Sequence, residues 1–363
     1  MKVEVAIIGA GIAGASLAAE IAPHRSVLLV EGEDRPGFHA TGRSAAFWSE
    51  TYGGPLIRPL TAASRQVLER PDRDFSDRPF LSPRGELHLA APGREQLLDE
   101  LAAAFGPDVR LERVGRDDLT RRVPGLRAGW NAALWEPGCA DIDVAGLHAA
   151  YLRAARRGGA TLLCDFRLSA ARWDGGWRLR CASLEVEAEV LVNAAGAWAD
   201  AVAALAGARP LGIAAYRRTM AQVRVEPATP ADLPLLMDAD GGFYCKGEGP
   251  GRVWLSPHDE TRCEPGDAAA DELDVAVAIE RLGAAVDWRV VRVERAWAGL
   301  RSFAPDRLPV YGWDRDQPGF FWCAGQGGWG IQTAPAAARM AAGLLLGREV
   351  GEVNPSPYLA TRF

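Results

Sequence analysis

The sequence predicts an α/β protein with a Rossmann-like core that is discontinuous along the chain, joined to an α+β part on a mixed or antiparallel sheet. Three observations lead there. The first thirty-one residues read as strand, glycine turn, helix and second strand. Two more apolar runs, at 190–198 and 320–332, each enter a glycine-bearing turn. The length of 363 residues exceeds what one hydrophobic core serves, so two domains are expected.

Val3, Val5, Ile7 and Ile8 form a short apolar, largely β-branched run, as in a strand buried on both faces. Gly9-Ala10-Gly11-Ile12-Ala13-Gly14 follows and opens a helix running through Glu20 and Ile21, closed by Pro23. Ser26 to Val30 then form a second apolar strand ending on Glu31. Gly9 permits a tight turn, Gly11 lets the backbone approach a pyrophosphate, and Gly14 lets helix and strand pack. The helix N-terminus faces phosphate charge. Glu31, with Gly32 beside it, can accept from ribose hydroxyls. Strand, turn, helix, strand and acid in register predict an adenine dinucleotide site.

The composition, 48% hydrophobic and 24% charged with a formal net charge of −6, is that of a globular domain and argues against a nucleic-acid surface. Cys139, Cys164, Cys181, Cys245, Cys263 and Cys323 include no CxxC pair, and the five histidines are scattered, so no metal-ligand spacing appears. Unpaired cysteines and the lack of a long charge-free apolar stretch predict a cytoplasmic protein without stable membrane insertion.

Three further segments turn the dinucleotide reading towards FAD. Gly37 to Ala46 sets small polar residues ahead of an expected helix, where amides and hydroxyls can hold the second half of a pyrophosphate. Val190 to Trp198 reads as a buried strand entering a turn. Phe320 to Gly325 is another strand, followed by the loop Gln326-Gly327-Gly328-Trp329-Gly330 and an Ala-rich helix. Such a loop lets backbone amides reach a flat ring edge-on.

On Thr41-Gly42-Arg43-Ser44-Ala45-Ala46, Leu81-Ser82-Pro83-Arg84, Val190–Trp198, Trp297–Phe303 and Gln326–Gln332, the chain resembles the D-amino-acid-oxidase-like (glycine oxidase) FAD oxidoreductases, end to end. Within them it is most similar to the bacterial FAD-dependent D-arginine dehydrogenases. The resemblance implies non-covalent FAD and oxidation of an amine at Cα by hydride transfer to flavin N5, giving an imine that water hydrolyses to a 2-oxo acid and ammonia. It assigns the cofactor to Gly9, Gly11, Ile12, Ala13, Gly14, Glu31 and Gly32, to the segment Thr41, Gly42, Arg43, Ser44, Ala45 and Ala46, and to Ala194, Ala195, Gly196 and Trp198. Arg301, Gly327, Gly328, Trp329, Gly330, Ile331 and Gln332 complete that set.

An amino-acid substrate needs a carboxylate clamp, for which the planar guanidinium is suited. The resemblance places it at Arg301 and Arg218, the latter adjacent to Arg217 and open to a one-residue slip. The resemblance further implies Tyr52 and Tyr244 as hydroxyl donors, with Gly328 and Gln332 bordering the substrate. Glu86 matches the acid that meets a cationic substrate end and so implies D-Arg or D-Lys, although an acid on a strand is ordinarily solvent-facing. Phe47 and Trp48 replace a family histidine and tyrosine, and Trp329 replaces another tyrosine. The electron acceptor is left open; an oxygen-using oxidase of the glycine or sarcosine type is the alternative, and Lys246 the one internal lysine for such a role. The cofactor domain is expected over 1–80, 140–212 and 300–363, and the substrate domain over 81–139 and 213–299.

Overall fold

The computed structural model describes residues 1–181 and 184–363 and contains three sheets. In the first, Thr161–Leu163, Val27–Val30, Lys2–Ile8, Leu184–Asn193 and Phe320–Ala324 run parallel in that spatial order. The hairpin Leu168–Trp173/Trp177–Cys181 adds antiparallel strands along the first half of 184–193, and Val310–Trp313 closes the far side. Sequence neighbours are therefore not spatial neighbours: residues 191–193 pair with 320–322, over a hundred residues later.

The strands 27–30 and 320–324 are buried at every residue, which is why they read as unbroken apolar runs. Helices Ile12–Ile21, Val144–Arg157 and Gly330–Leu346 cover one face, with Leu17, Ile21, Leu29, Phe321, Tyr311 and Met340 in their shared core. Pro335 lies inside the last helix, at its sixth residue, where it leaves the Ile331 carbonyl without its usual donor. Among the described residues no helix is long and apolar enough to cross a membrane.

The second sheet has nine strands and mixed direction. Its spine is the antiparallel pair Ala214–Glu226/Arg289–Phe303, flanked by Thr261–Cys263, Arg252–Ser256, Tyr244–Gly247 and Leu235–Asp238. Leu235–Asp238 joins Glu86–Leu89 in the sheet's one parallel pairing, and Ala132–Glu136 and Glu112–Gly115 follow. Helix Glu272–Ala285 packs on one side around Leu282, Phe243, Val253 and Trp288.

A three-stranded sheet, Phe47–Trp48, Ala140–Ile142 and Leu81–Pro83, lies beside these two. Its first strand corrects the expectation of a helix directly after Ala46. Phe47 and Trp48 are both buried and pair with Asp141 and Ala140, and Gly53 and Gly54, each at positive φ, turn the chain before Arg58–Glu69 becomes helical. Large aromatics and a double glycine favour that extended-then-turn path over a continuing helix.

Candidate active site

A single cavity of about 430 Å³ runs from the first glycine turn to the spine of the nine-stranded sheet. Gly9 makes its floor, at φ +103° with the carbonyl oxygen of Ala194 only 2.3 Å from where a Cβ would stand. Gly14 is equally confined: its Cβ would meet the Gly9 carbonyl oxygen at 1.9 Å. Two segments far apart in sequence thus share one atom-tight corner, and only glycine fits there. Gly11 caps helix Ile12–Ile21, whose first amide, Ile12 N–H, donates to Thr41 Oγ1 at 3.0 Å. Glu31 accepts from the amides of Ala10 (3.0 Å) and Glu33 (3.1 Å), so its carboxylate is fixed at the cavity edge beside Gly32.

Ala13, Ser44, Ala45, Ala195, Gly196, Trp198, Gly327, Gly330 and Ile331 also line the cavity. Arg43 lines it too while bracing the 37–46 loop: it donates to the carbonyls of Ala268 (2.8 Å) and Ala298 (3.1 Å) and pairs with Asp267. A helix N-terminus, an acid at a strand end and a left-handed Gly327 (φ +56°) are strung along one cleft. That arrangement fits an adenine dinucleotide carrying a flat ring system, as the sequence reading requires for FAD.

At the opposite end Arg218, Tyr244, Arg301 and Gly328 line the same cavity. The strand register resolves the Arg217/Arg218 ambiguity. Arg217 points to the helix side, donating to Asp274 (2.7 Å) and Asp271 (3.2 Å), while Arg218 turns to the cavity. Arg218 is anchored through Nε to the Asp259 carbonyl (2.6 Å) and through Nη2 to Glu260 (3.2 Å), leaving its buried Nη1 without a partner. Burial, then the nearby Arg301, pushes the Arg218 pKa down. Burial works against the charge on Arg301 as well, but the phenols of Tyr52 and Tyr244 hold its pKa up.

Tyr52 is outside the lining but behind it: a Cβ on Gly328 would touch its hydroxyl (2.9 Å) and the Arg301 guanidinium carbon (2.8 Å). The Tyr52 hydroxyl is buried with no partner, and the Tyr244 hydroxyl donates only to Met220 Sδ at 3.0 Å. Phe47 stands between the two tyrosines, 4.8 Å from one ring and 6.2 Å from the other. It belongs to an apolar wall with Ala45, Cys139, Met220, Leu235 and Met237.

Six other expected positions are also absent from the lining. Gly42 closes the loop by donating to the Gly37 carbonyl (2.8 Å), Ala46 accepts from Ile142, and Gly14 packs as above. Trp329 lies over Phe303 and Tyr52 with its indole N–H unpartnered. Gln332 is fully buried and every one of its polar partners is protein: its oxygen accepts from Ser49 N–H (3.1 Å), and its amide donates to the Tyr52 carbonyl and Thr61 Oγ1 (both 3.0 Å). It holds the 49–52 segment and has no hydrogen spare for substrate.

Glu86 departs most from its expected surroundings. Rather than facing solvent or the cavity, it is fully buried, directly opposite Glu136 in the strand register and one residue pair from His88 on the same face. His88 Nε2 is 3.7 Å from Glu86 Oε1 and 3.6 Å from Glu136 Oε2. Glu136 also accepts from Ser49 Oγ (3.1 Å), Thr51 Oγ1 (2.6 Å) and Glu50 N–H (2.7 Å), whereas neither Glu86 oxygen has a hydrogen-bond partner. Burial pushes the Glu86 carboxyl up to about 7. Lys246 is likewise committed elsewhere, to Asp141 (2.9 Å) and over the Trp254 ring.

Several residues in or behind the lining went unread in sequence. Met220 is two positions from Arg218 on the same strand face, so strand alternation contains that signal. His39, stacked 4.6 Å from Trp198 and bonded to Glu33 (3.0 Å), belongs to the 37–46 loop but has no motif of its own. His258 packs edge-on to Tyr244 at φ +58°; burial, then Arg218 and Arg301, lowers its pKa to about 3. No local pattern marks a non-glycine residue for that left-handed conformation.

Comparison with known proteins places this geometry. The model of the DAO family, described as FAD dependent oxidoreductase, matches residues 4–344. The chain is 27% identical to the glycine oxidase of Pseudomonas aeruginosa over 376 residues, covering 99% of this chain and 98% of that one. It is 24% identical to hydrogen cyanide synthase subunit HcnC of the same organism, covering 99% and 96%. The crystal structure of glycine oxidase from Geobacillus kaustophilus superposes with a TM-score of 0.86 at 22% identity, covering 100% of this chain and 99% of that one.

Proposed function

Since the chain belongs to the DAO family of FAD-dependent oxidoreductases, we propose that it oxidises the Cα–N bond of a D-amino acid and passes the electrons to an acceptor other than oxygen. Bound FAD supplies the hydride acceptor. The observation that carries the substrate class is the unpartnered Arg218 Nη1 and Tyr52 hydroxyl beside buried Arg301. Buried donors left unsatisfied are costly, and a substrate carboxylate satisfies all three at once. Tyr244, whose hydroxyl has only a weak sulfur acceptor, is free to turn to the same group.

The substrate α-amine, entering neutral, needs no protein base, and none lines this end of the cavity. The side chain meets the apolar wall of Phe47, Met220 and Met237, which suits compact neutral groups. A preference for D-Arg or D-Lys, the finer reading from sequence, depends on Glu86. It therefore requires Phe47 and Cys139 to part and admit the cationic end. Lys246 is held by Asp141, so no lysine stands at the cavity to promote reaction with oxygen. FAD is held non-covalently in this reading: no cysteine lines the cavity, and His39 is bonded to Glu33. The cofactor is assigned to 1–80, 140–212 and 300–363 and the substrate to 81–139 and 213–299, in the cytoplasm, where six free cysteines are stable.

The full-length similarity to glycine oxidase favours a second reading, an oxygen-using oxidase of glycine or sarcosine. One experiment separates them. The yellow protein is mixed without oxygen with D-Ala, D-Met, D-Arg, L-Ala, glycine and sarcosine, and air is then readmitted. Bleaching by D-amino acids with slow recolouring supports the dehydrogenase; bleaching by glycine or sarcosine with fast recolouring supports the oxidase. If no amine bleaches the flavin, both readings fail.

A further inference from the structure

Glu86, His88 and Glu136 bring three ligand-type atoms within 4.8 Å of one another in the interior of the nine-stranded sheet. Their meeting is a product of register alone: Glu86 and Glu136 are directly opposed, and His88 follows Glu86 by two residues on the same face. We propose that this cluster is a binding site for one divalent transition-metal ion of the zinc or manganese class, separate from the flavin cavity; with the ion bound, Glu86 is not available to a cationic substrate end.

Four features point to an ion rather than to hydrogen bonding alone. First, Glu86 is 0% exposed and both its carboxylate oxygens lack a partner, although other polar groups surround it. A buried carboxylate without donors is an arrangement proteins avoid. Second, the 3.7 and 3.6 Å separations from His88 Nε2 to the two carboxylates are too long for hydrogen bonds. They are close to the roughly 3.3 Å between two ligands that each lie about 2.0–2.1 Å from a shared tetrahedral ion. Third, the charges close: two carboxylates and a neutral imidazole balance a 2+ ion, which displaces the protons the cluster otherwise carries.

Fourth, the ligands are themselves held. Glu136 is fixed by Glu50 N–H (2.7 Å) and Ser49 Oγ (3.1 Å), the outer support expected of a ligating carboxylate. Thr51 Oγ1, 3.1 Å from His88 Nε2 and 2.6 Å from Glu136, is positioned as a fourth oxygen donor. The role of the ion is structural. It ties the segment Ser49–Thr51, and with it Tyr52, to the strands 86–89 and 132–136.

Because the cluster is buried, loading is tested during synthesis. The holoprotein is produced in medium supplemented with Zn2+ or Mn2+, washed with a chelator, and its metal measured by mass spectrometry alongside its flavin absorbance. About one ion per chain is expected for the parent and at least a tenfold lower content for His88→Gln. Glu86→Gln, nearly isosteric, should lose the metal in the same way and covers the case in which His88→Gln does not fold. His24→Gln, at an exposed histidine outside the cluster and the cavity lining, should leave the content unchanged. Negligible metal in the parent, or equal metal in a flavin-loaded His88→Gln or Glu86→Gln protein, overturns the site.

Discussion

Arg218 stands opposite Gly299 in the central strand pair, two residues from Arg301, so both guanidinium groups rise from one face with only a glycine between their positions. Gly299 itself lines the cavity, and a Cβ there would stand 3.4 Å from that of Arg43. Neither guanidinium has a carboxylate of this chain closing its cavity side. Replacing Arg301 with Gln should weaken substrate capture by about 10- to 100-fold, the worth of a charged hydrogen bond of ~1.5–3 kcal/mol. Anaerobic stopped-flow bleaching gives that dissociation constant, and an unchanged value would remove Arg301 from carboxylate binding. Arg217→Gln, whose parent side chain serves Asp271 and Asp274, should leave it within about twofold.

The corner between Gly9 and Ala194 makes a second expectation. Gly9→Ala must place a methyl group against a backbone carbonyl at positive φ, costing at least ~1–3 kcal/mol. The purified variant should contain little flavin and melt lower than the parent; full flavin content with an unchanged melting temperature would contradict the close approach.

Gln332→Leu should act on Tyr52 without touching the cofactor. It strands the Ser49 amide and the Tyr52 carbonyl in the interior, at about 1–3 kcal/mol for each group left unsatisfied. The flavin spectrum should persist while kcat/KM falls. Loss of flavin with no change in kcat/KM per bound flavin would show that Gln332 serves the cofactor instead.

His258 sets a pH dependence. Its folded pKa of about 3 lies below the ordinary 6.5, so the folded form stays neutral while the unfolded chain takes up a proton. Stability is therefore undiminished above pH 6.5, falls by up to ~1.4 kcal/mol per pH unit as pH drops from about 6.5 to 3, and levels below that. Other groups titrate there too, so the comparison is with His258→Asn, a residue that tolerates left-handed backbone. The parent's denaturant midpoint should fall relative to the variant's as pH drops through this window; parallel curves would show that His258 is not held neutral.

Residues 1–31 were legible because strand, turn, helix, second strand and acid follow one another along the chain, even though the first strand also pairs with residues 187–193. The pair Arg218 and Arg301 was singled out only through resemblance, and it took strand register to show that Arg218, and not Arg217, faces the cavity. The helix expected after Ala46 failed because Phe47 and Trp48 answer to residues 140–141, which no window around them contains. That Glu86 lies buried against Glu136 was not legible for the same reason. An alternating strand tells which residues share a face, not whether another element covers it, and Glu136 reaches Glu86 from fifty residues further on.

The pairing of residues 191–193 with 320–322 also bears on how the protein comes into being. The glycine corner is synthesised long before the strand and loop that complete its cleft. A growing chain thus presents half a cradle until residues 320–332 have been made, and both halves can close on the cofactor only after that strand has paired.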